Sequence, residues 1–203
     1  TADGHVTTWY DQTGNNNSSN QTLASSQPKI VDGGTLVTEG GLAALDFDGV
    51  DDYLAKIATF TINGDHLMTA VHTPQVGYLF SIGYNDNQSV LFWSDSGNYS
   101  RYWLNSSIDQ VNSGEAVAGQ RLTLGEMSSG SQTLYIDGTQ NSTKSTTYGG
   151  GDVQDITIGY AVERAQGANY LNGKLQELIF FNADQSTNRT GIENNINDTY
   201  TIY

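Results

Sequence analysis

The sequence predicts an all-β fold closed by one short C-terminal helix, and three observations carry that reading. Short runs rich in Val, Ile, Thr, Tyr and Phe recur along the chain, separated by clusters of Gly, Asn, Asp and Ser. Many short strands at such spacing build a sandwich or a barrel. Only the last segment changes period, with Ile192, Ile196 and Tyr200 forming one apolar stripe behind a capping residue, Ser186. The 203 residues fit a single domain spanning 1–203. No repeat of about 20 to 50 residues occurs, which excludes a solenoid or propeller.

Taken in order, Val6 to Tyr10 reads as a strand that gives way to a polar surface loop from Gly14 to Thr22. Pro28 to Val31 and Leu36 to Val37 are brief strands around Asp32-Gly33-Gly34. In GLAALDFDGVDDYL, residues 41–54, a half-buried strand with Leu45 and Phe47 meets Asp48-Gly49, and a second strand begins at Tyr53-Leu54. Asp-Gly predicts a hairpin there, because Gly accepts the positive φ of a tight turn. Leu67 to His72, Tyr78 to Gly83, Ser89 to Trp93, Arg101 to Leu104, Arg121 to Met127, Thr133 to Ile136 and Ile156 to Gly159 follow as short strands. The turns at Ser94 to Asn98 and Asp137-Gly138 predict antiparallel neighbours. Gly173 to Phe181 is apolar on both sides toward its end, as a central strand is.

Charge narrows the function. Eight basic against 22 acidic residues give a formal charge of -14, which repels phosphate backbones and anionic lipid and so argues against nucleic acid as a partner. No apolar run reaches the length of a membrane span, so no membrane insertion is expected. The absence of cysteine removes thiolate chemistry and disulfides. Thr1 is not an initiator residue, and the chain reads as a segment of a longer protein.

Several residues are candidates for chemistry. Asp48, Asp51 and Asp52 gather hard oxygen donors in one turn, which reads as a calcium-type site or as a solvated, turn-forming edge. The densest aromatic and polar segment holds Tyr84, Trp93, Asp95, Tyr99, Arg101 and Trp103, a ligand-binding set in which rings stack on sugar faces and polar groups bind hydroxyls. Tyr102 and Trp103 point to opposite faces of a strand, so one of them belongs to the core. Trp9 reads as packed structure. Glycosidase chemistry needs two carboxyl groups about 5 to 9.5 Å apart; Glu126 and Glu177 are the least poor candidates, each expected to face solvent from a strand. His5, His66 and His72 are isolated and read as surface histidines, and Gly149-Gly150-Gly151 reads as a turn without a phosphate-loop lysine.

The order of ALDFDGVDDYL, HLMTAVHTP, RLTLGEMSSGSQTLYIDGTQ, ITIGY and YLNGKLQELIFFNADQSTNRTGIENNI resembles the laminin-G-like, concanavalin-A-like lectin/glucanase superfamily over roughly residues 41–200. The phrase VTTWYDQTGN resembles an element preceding such domains in bacterial and phage-like surface proteins and in arabinofuranosidase B. The resemblance implies a two-sheet antiparallel jelly-roll sandwich whose N- and C-terminal strands adjoin in one sheet. It also implies a calcium companion, although Gln176 stands where many relatives carry Asp, and the glucanase E-x-D-x-x-E strand is absent. The expectation is a non-enzymatic carbohydrate-binding or adhesion module of a secreted, cell-surface or virion protein, with a glycan or cell-surface polysaccharide as partner. Two alternatives stand beside it: a decoration domain contacting other subunits of a phage or surface assembly, and a glycoside hydrolase related to arabinofuranosidase.

Overall fold

The computed structural model describes residues 2–73, 76–83, 90–94, 100–104, 109–114, 118–161 and 170–203, with the backbone alone at 58, 59, 91, 103, 109 and 154. The first strands are short: β1 (Gly4–His5), β2 (Thr8–Trp9), β3 (Ser19–Asn20), β4 (Lys29–Asp32), β5 (Thr35–Leu36), β6 (Thr38–Glu39), β7 (Leu42–Ala43) and β8 (Leu45–Asp48). The middle of the chain gives β9 (Leu54–Asn63), β10 (His66–Thr73), β11 (Gly77–Gly83), β12 (Val90–Ser94), β13 (Ser100–Leu104) and β14 (Asp109–Asn112). Then come β15 (Arg121–Ser128), β16 (Ser131–Ile136), β17 (Thr139–Ser145), β18 (Gly150–Ile158), β19 (Asn172–Phe181) and the helix α1 (Arg189–Tyr200).

One sheet runs β1-β4-β8-β19-β10-β15-β16-β17, with β5 beside β4; the other runs β14-β13-β12-β11-β18-β9-β3-β2. Every strand pairing recorded within these sheets is antiparallel, so the two-sheet jelly-roll sandwich is the fold. β1 and β19 share a sheet but do not adjoin, because β4 and β8 lie between them. The polar tract after Gly14 is not only a loop: Ser19 is buried, and β3 pairs with both β2 and β9.

The GLAALDFDGVDDYL stretch does not form a hairpin. β8 pairs with β19 and β4 in one sheet, whereas β9 pairs with β18 in the other, so the turn is a corner between the sheets. Gly49 has φ +77 and donates its N–H to Leu171 O, and a Cβ there would stand 2.8 Å from the Asn172 Cβ. Asp48 Oδ1 accepts the N–H of Val50 and of Asp51, and Asp52 Oδ2 accepts that of Asp48, which folds the chain over the sandwich edge. Phe47 and Leu54 on either side are both in the core. The Asp137-Gly138 turn does form a hairpin, with φ of 50 and 72 and Ile136 opposite Thr139. β12 and β13 are likewise antiparallel neighbours, from Ser94 opposite Ser100 inward.

β19 is central, flanked by β8 and β10. Its alternation is broken by a bulge: Leu175 lies opposite His72 and Glu177 opposite Val71, leaving Gln176 as the extra residue. Leu178 and Phe180 therefore join Leu175 in packing against the main core, while Ile179 packs under α1 with Val71, Leu122, Ile192 and Ile196. The helix begins later than expected. Asn188 occupies its N-cap position, and Ser186 sits in a preceding turn with its N–H donated to Asp184 Oδ1.

The core is built on Phe92 and Tyr102, cross-strand partners whose rings meet edge to face at 5.7 Å. They fill the space above Gly125, where a Cβ would stand 2.6 Å from the Tyr102 ring. Tyr102 is the residue of the Tyr102-Trp103 pair that enters the core. Its hydroxyl donates to His66 Nε2 at 2.6 Å, and His66 Nδ1 donates to Gly64 O at 3.0 Å, which sets the imidazole as the neutral Nδ1–H tautomer. His66 and His72 are not surface residues: β10 is covered by neighbouring strands, core and helix, and its burial runs unbroken from His66 to His72. Desolvation pushes His66 down to about 4 and His72 to about 3. Of the Gly149–Gly151 run, expected as a turn, Gly150 and Gly151 already belong to β18, opposite Asn63 and Ile62.

Gly125→Val should destabilise the fold by about 1–3 kcal/mol, the usual cost of overpacking, in chemical denaturation; unchanged stability would contradict the packing over Gly125. Because the folded state holds the two histidines below their free value near 6.5, folding loses their contribution as pH falls from about 6.5 toward 4 and 3. Imidazole NMR should find both rings neutral at pH 5; a midpoint near 6.5 for either would contradict their burial.

Candidate functional site

Since Phe92 and Tyr102 face inward, their neighbours Trp93 and Arg101 stand on the outer face of the eight-stranded sheet. Tyr78 lies opposite Trp93 across β11, and Arg101 lies opposite it across β13. The Tyr78 and Trp93 rings stack at 5.9 Å with an interplanar angle of 26°, and the Arg101 guanidinium lies 5.0 Å from the Trp93 ring. Arg101 donates to Gln110 Oε1 at 3.1 Å, so an aromatic, cationic and amide row crosses β11 to β14. Tyr78 is buried against Ala161 and anchors the row, whereas Trp93 and Arg101 are half-buried. The register shift between Tyr78 and Phe80 lets Tyr78 face outward while Leu79 and Phe80 join the core.

Of the predicted ligand-binding set, the structure brings Trp93 and Arg101 together. Tyr84, Asp95 and Tyr99 lie outside the described residues, as does the side chain of Trp103, whose backbone pairs with Leu91 and Gln110. Tyr78 and Gln110 were not singled out from sequence. Only the strand register reveals them, since each is distant in the chain from the residue it touches.

Asp48, Asp51 and Asp52 come together at the corner, with one ligand oxygen from each within 4.8 Å of the others. The turn bonds use Asp48 Oδ1 and Asp52 Oδ2, and Ser26 donates its hydroxyl to Asp51 Oδ2 at 2.8 Å. These bonds occupy one oxygen of each carboxylate, so the donor set fits a hard cation. Desolvation, then the nearby Asp48 and Asp51 charges, push buried Asp52 up to about 6. Beside the corner, Tyr53 packs against Tyr160 and Tyr170 with centroids 6.0 and 6.4 Å away, and those two stack at 4.7 Å.

Gln176 has a different part. Its Nε2 donates toward the carbonyls of Glu39, Leu42 and Ala43, and its Oε1 accepts from Gln120 Nε2. The two N–H groups of the amide are thus shared among three converging carbonyls of the β6–β7 hairpin.

The glutamates do not form a glycosidase pair. Glu126 lies opposite Leu67 and Glu177 opposite Val71, on strands either side of β10. A rise of ~3.3 Å per residue and a strand spacing of ~4.8 Å put them roughly 16 Å apart, well beyond the range for glycoside hydrolysis. Neither simply faces solvent. Glu126 is buried, with Tyr135 Oη 3.4 Å from its Oε2, and Glu177 is half-buried near Tyr200. Burial raises the pKa of both. Glu193 of α1 is buried as well and pairs with Arg189, whose guanidinium lies 4.1 Å from the Tyr135 ring.

The architecture is a two-sheet antiparallel jelly roll. No protein-family model and no curated protein matches the sequence. Solved structures do match the fold. The binding domain of Paraclostridial Mosquitocidal Protein 1 superimposes with a TM-score of 0.65 at 14% identity, covering 93% of this chain and 49% of that one. A heptameric SAP-like pentraxin from Limulus polyphemus gives 0.55 at 16% identity, over 75% of this chain and 82% of the pentraxin. The Ruminococcus gnavus IT-sialidase CBM40 bound to alpha2,3 sialyllactose gives 0.51 at 9% identity, over 60% and 78%.

Gln176→Ala should cost about 0.5–1.5 kcal/mol, the net worth of the hydrogen bonds that its amide makes to the hairpin carbonyls. Urea denaturation measures this, and a neutral effect would contradict the bridging role of the amide.

Proposed function

We propose that this chain is a non-enzymatic carbohydrate-binding module of laminin-G-like type, belonging to a secreted, cell-surface or virion protein. The observation that carries the reading is the Tyr78–Trp93–Arg101–Gln110 row on the outer sheet face. Tyr78 and Arg101 flank the indole on its two sides, so its half-buried outer edge is the apolar surface that a sugar ring would meet, and Arg101 and Gln110 beside it supply polar groups for hydroxyls and carboxylates. Arg101 favours an acidic sugar on a chain whose net charge is -14, because it sets a cation beside the indole edge. The CBM40 fold that this chain resembles was solved with sialyllactose bound, which makes α2,3-sialyllactose the first probe.

We further propose that Asp48, Asp51 and Asp52 hold calcium as a clamp on the corner, distant in role from the sugar. Catalysis is not part of the reading, given the separation and burial of Glu126 and Glu177.

A glycan array probed with the whole chain should identify acidic oligosaccharides, and Trp93→Ala should weaken binding roughly 30-fold, equivalent to the ~2 kcal/mol of an aromatic anchor. If no saccharide bound at millimolar concentration, with or without calcium, the module would instead be a decoration domain that contacts protein only. In a thermal melt, calcium should raise the midpoint relative to chelator, and Asp51→Asn should abolish the difference; equal midpoints for the unaltered chain would remove the calcium clamp.

A further inference from the structure

A cleft of about 1010 Å³ opens between the sheets on the side where β9 and β19 run. Its floor is apolar, formed by Phe60, Ile156, Ile158, Leu178 and Phe180. At its rim stand Tyr10 and Ile57, which are 68% and 80% exposed. Exposed apolar groups bordering an apolar cleft mark an interaction site.

Each strand beside it has part of one edge without a paired strand among the described residues. β19 pairs with β10 as far as Phe181, but with β8 only over 172–175, so its edge at 176–181 is open. β9 pairs with β18 along its length, but with β3 only at Ala55. Asn182 closes the far end of that second edge, donating to Thr61 O at 2.8 Å and accepting from Asn63 N at 2.7 Å. The sandwich is therefore one strand short on this side, with backbone donors and acceptors turned toward a core-lined opening.

We propose that the cleft receives an extended strand from a polypeptide partner, which pairs with the β19 edge and sets apolar side chains over Leu178 and Phe180. An open strand edge is complementary to another backbone, and the two-residue spacing of Leu178 and Phe180 matches the side-chain period of a strand. The edge at 176–181 holds a strand of roughly 20 Å. The charged groups lining the cleft are Asp11, Glu177 and Lys56, one carboxylate more than cation, and with the net charge of -14 they favour basic flanks for the incoming segment. This surface is independent of the Trp93 row and of glycan binding.

The test uses the whole chain and a labelled synthetic peptide of alternating Val and Thr, as long as the open edge, with a pair of lysines at each end. Fluorescence anisotropy should detect binding, and hydrogen exchange should gain protection at amides 176–181. Ile57→Lys, a substitution at an exposed position, should weaken binding roughly 10-fold by repelling the lysines. Failure of the peptide to bind, or binding without protection at 176–181, would overturn the proposal. Protection there from concentrated chain alone would reassign the cleft to a second copy, and protection from α2,3-sialyllactose in place of the peptide would reassign it to sugar; either outcome contradicts the strand partner.

Discussion

The fold depends on one corner. Between Asp48 and Tyr53 the chain leaves one sheet and enters the other, and the apolar residues on both sides, Phe47 and Leu54, are fully inside. A tight turn alone would have returned the chain alongside β8. Here the carboxylates of Asp48 and Asp52 accept backbone N–H groups within the turn, while Asp51 takes the Ser26 hydroxyl and Tyr53 N–H donates to Ser26 O. The acidic cluster is first a device for crossing the sandwich edge. Burial, and then the neighbouring Asp48 and Asp51 charges, raise the pKa of Asp52, and a cation would offset both.

The two outer faces then divide the labour. α1 covers the nine-stranded sheet over Val71, Leu122 and Ile179. Beneath or beside it Glu126 and Glu193 are desolvated around Arg189, so this side is committed to packing. On the outer face of the eight-stranded sheet stand Trp93 and Arg101, still half-exposed. The outer edge of the indole and the cation beside it are the surface that the proposed ligand would meet.

Much of the architecture was legible from period alone. Strands with strong β-formers, such as β10, β11, β15 and β19, fall close to their sequence-read bounds, and Asp137-Gly138 makes its hairpin. Period said nothing of which sheet a strand joins, and so Asp48-Gly49 was misread as a hairpin. β17, TQNSTKS, carries no apolar signal; its edge position, paired only through β16, lets a polar strand exist. His66 and His72 looked like surface residues because their burial comes from tertiary cover on β10, with hydrogen bonds to Tyr102 and Thr123. At the candidate site, Trp93 and Arg101 were legible as chemistry, but Tyr78 and Gln110 depend on register, and the bulge at Gln176 is invisible without the paired strand.

Under the proposed function, the outer row of β11 to β14 binds the sugar. The most direct measurement is an NMR titration of the labelled chain with α2,3-sialyllactose, following the Trp93 indole and Arg101 guanidinium signals. The account predicts saturable shifts at Trp93, Arg101 and Gln110, with the corner at Asp48–Asp52 and the cleft at Leu178 and Phe180 unmoved. Saturable shifts confined to the corner or the cleft, with Trp93 and Arg101 unchanged, would contradict it.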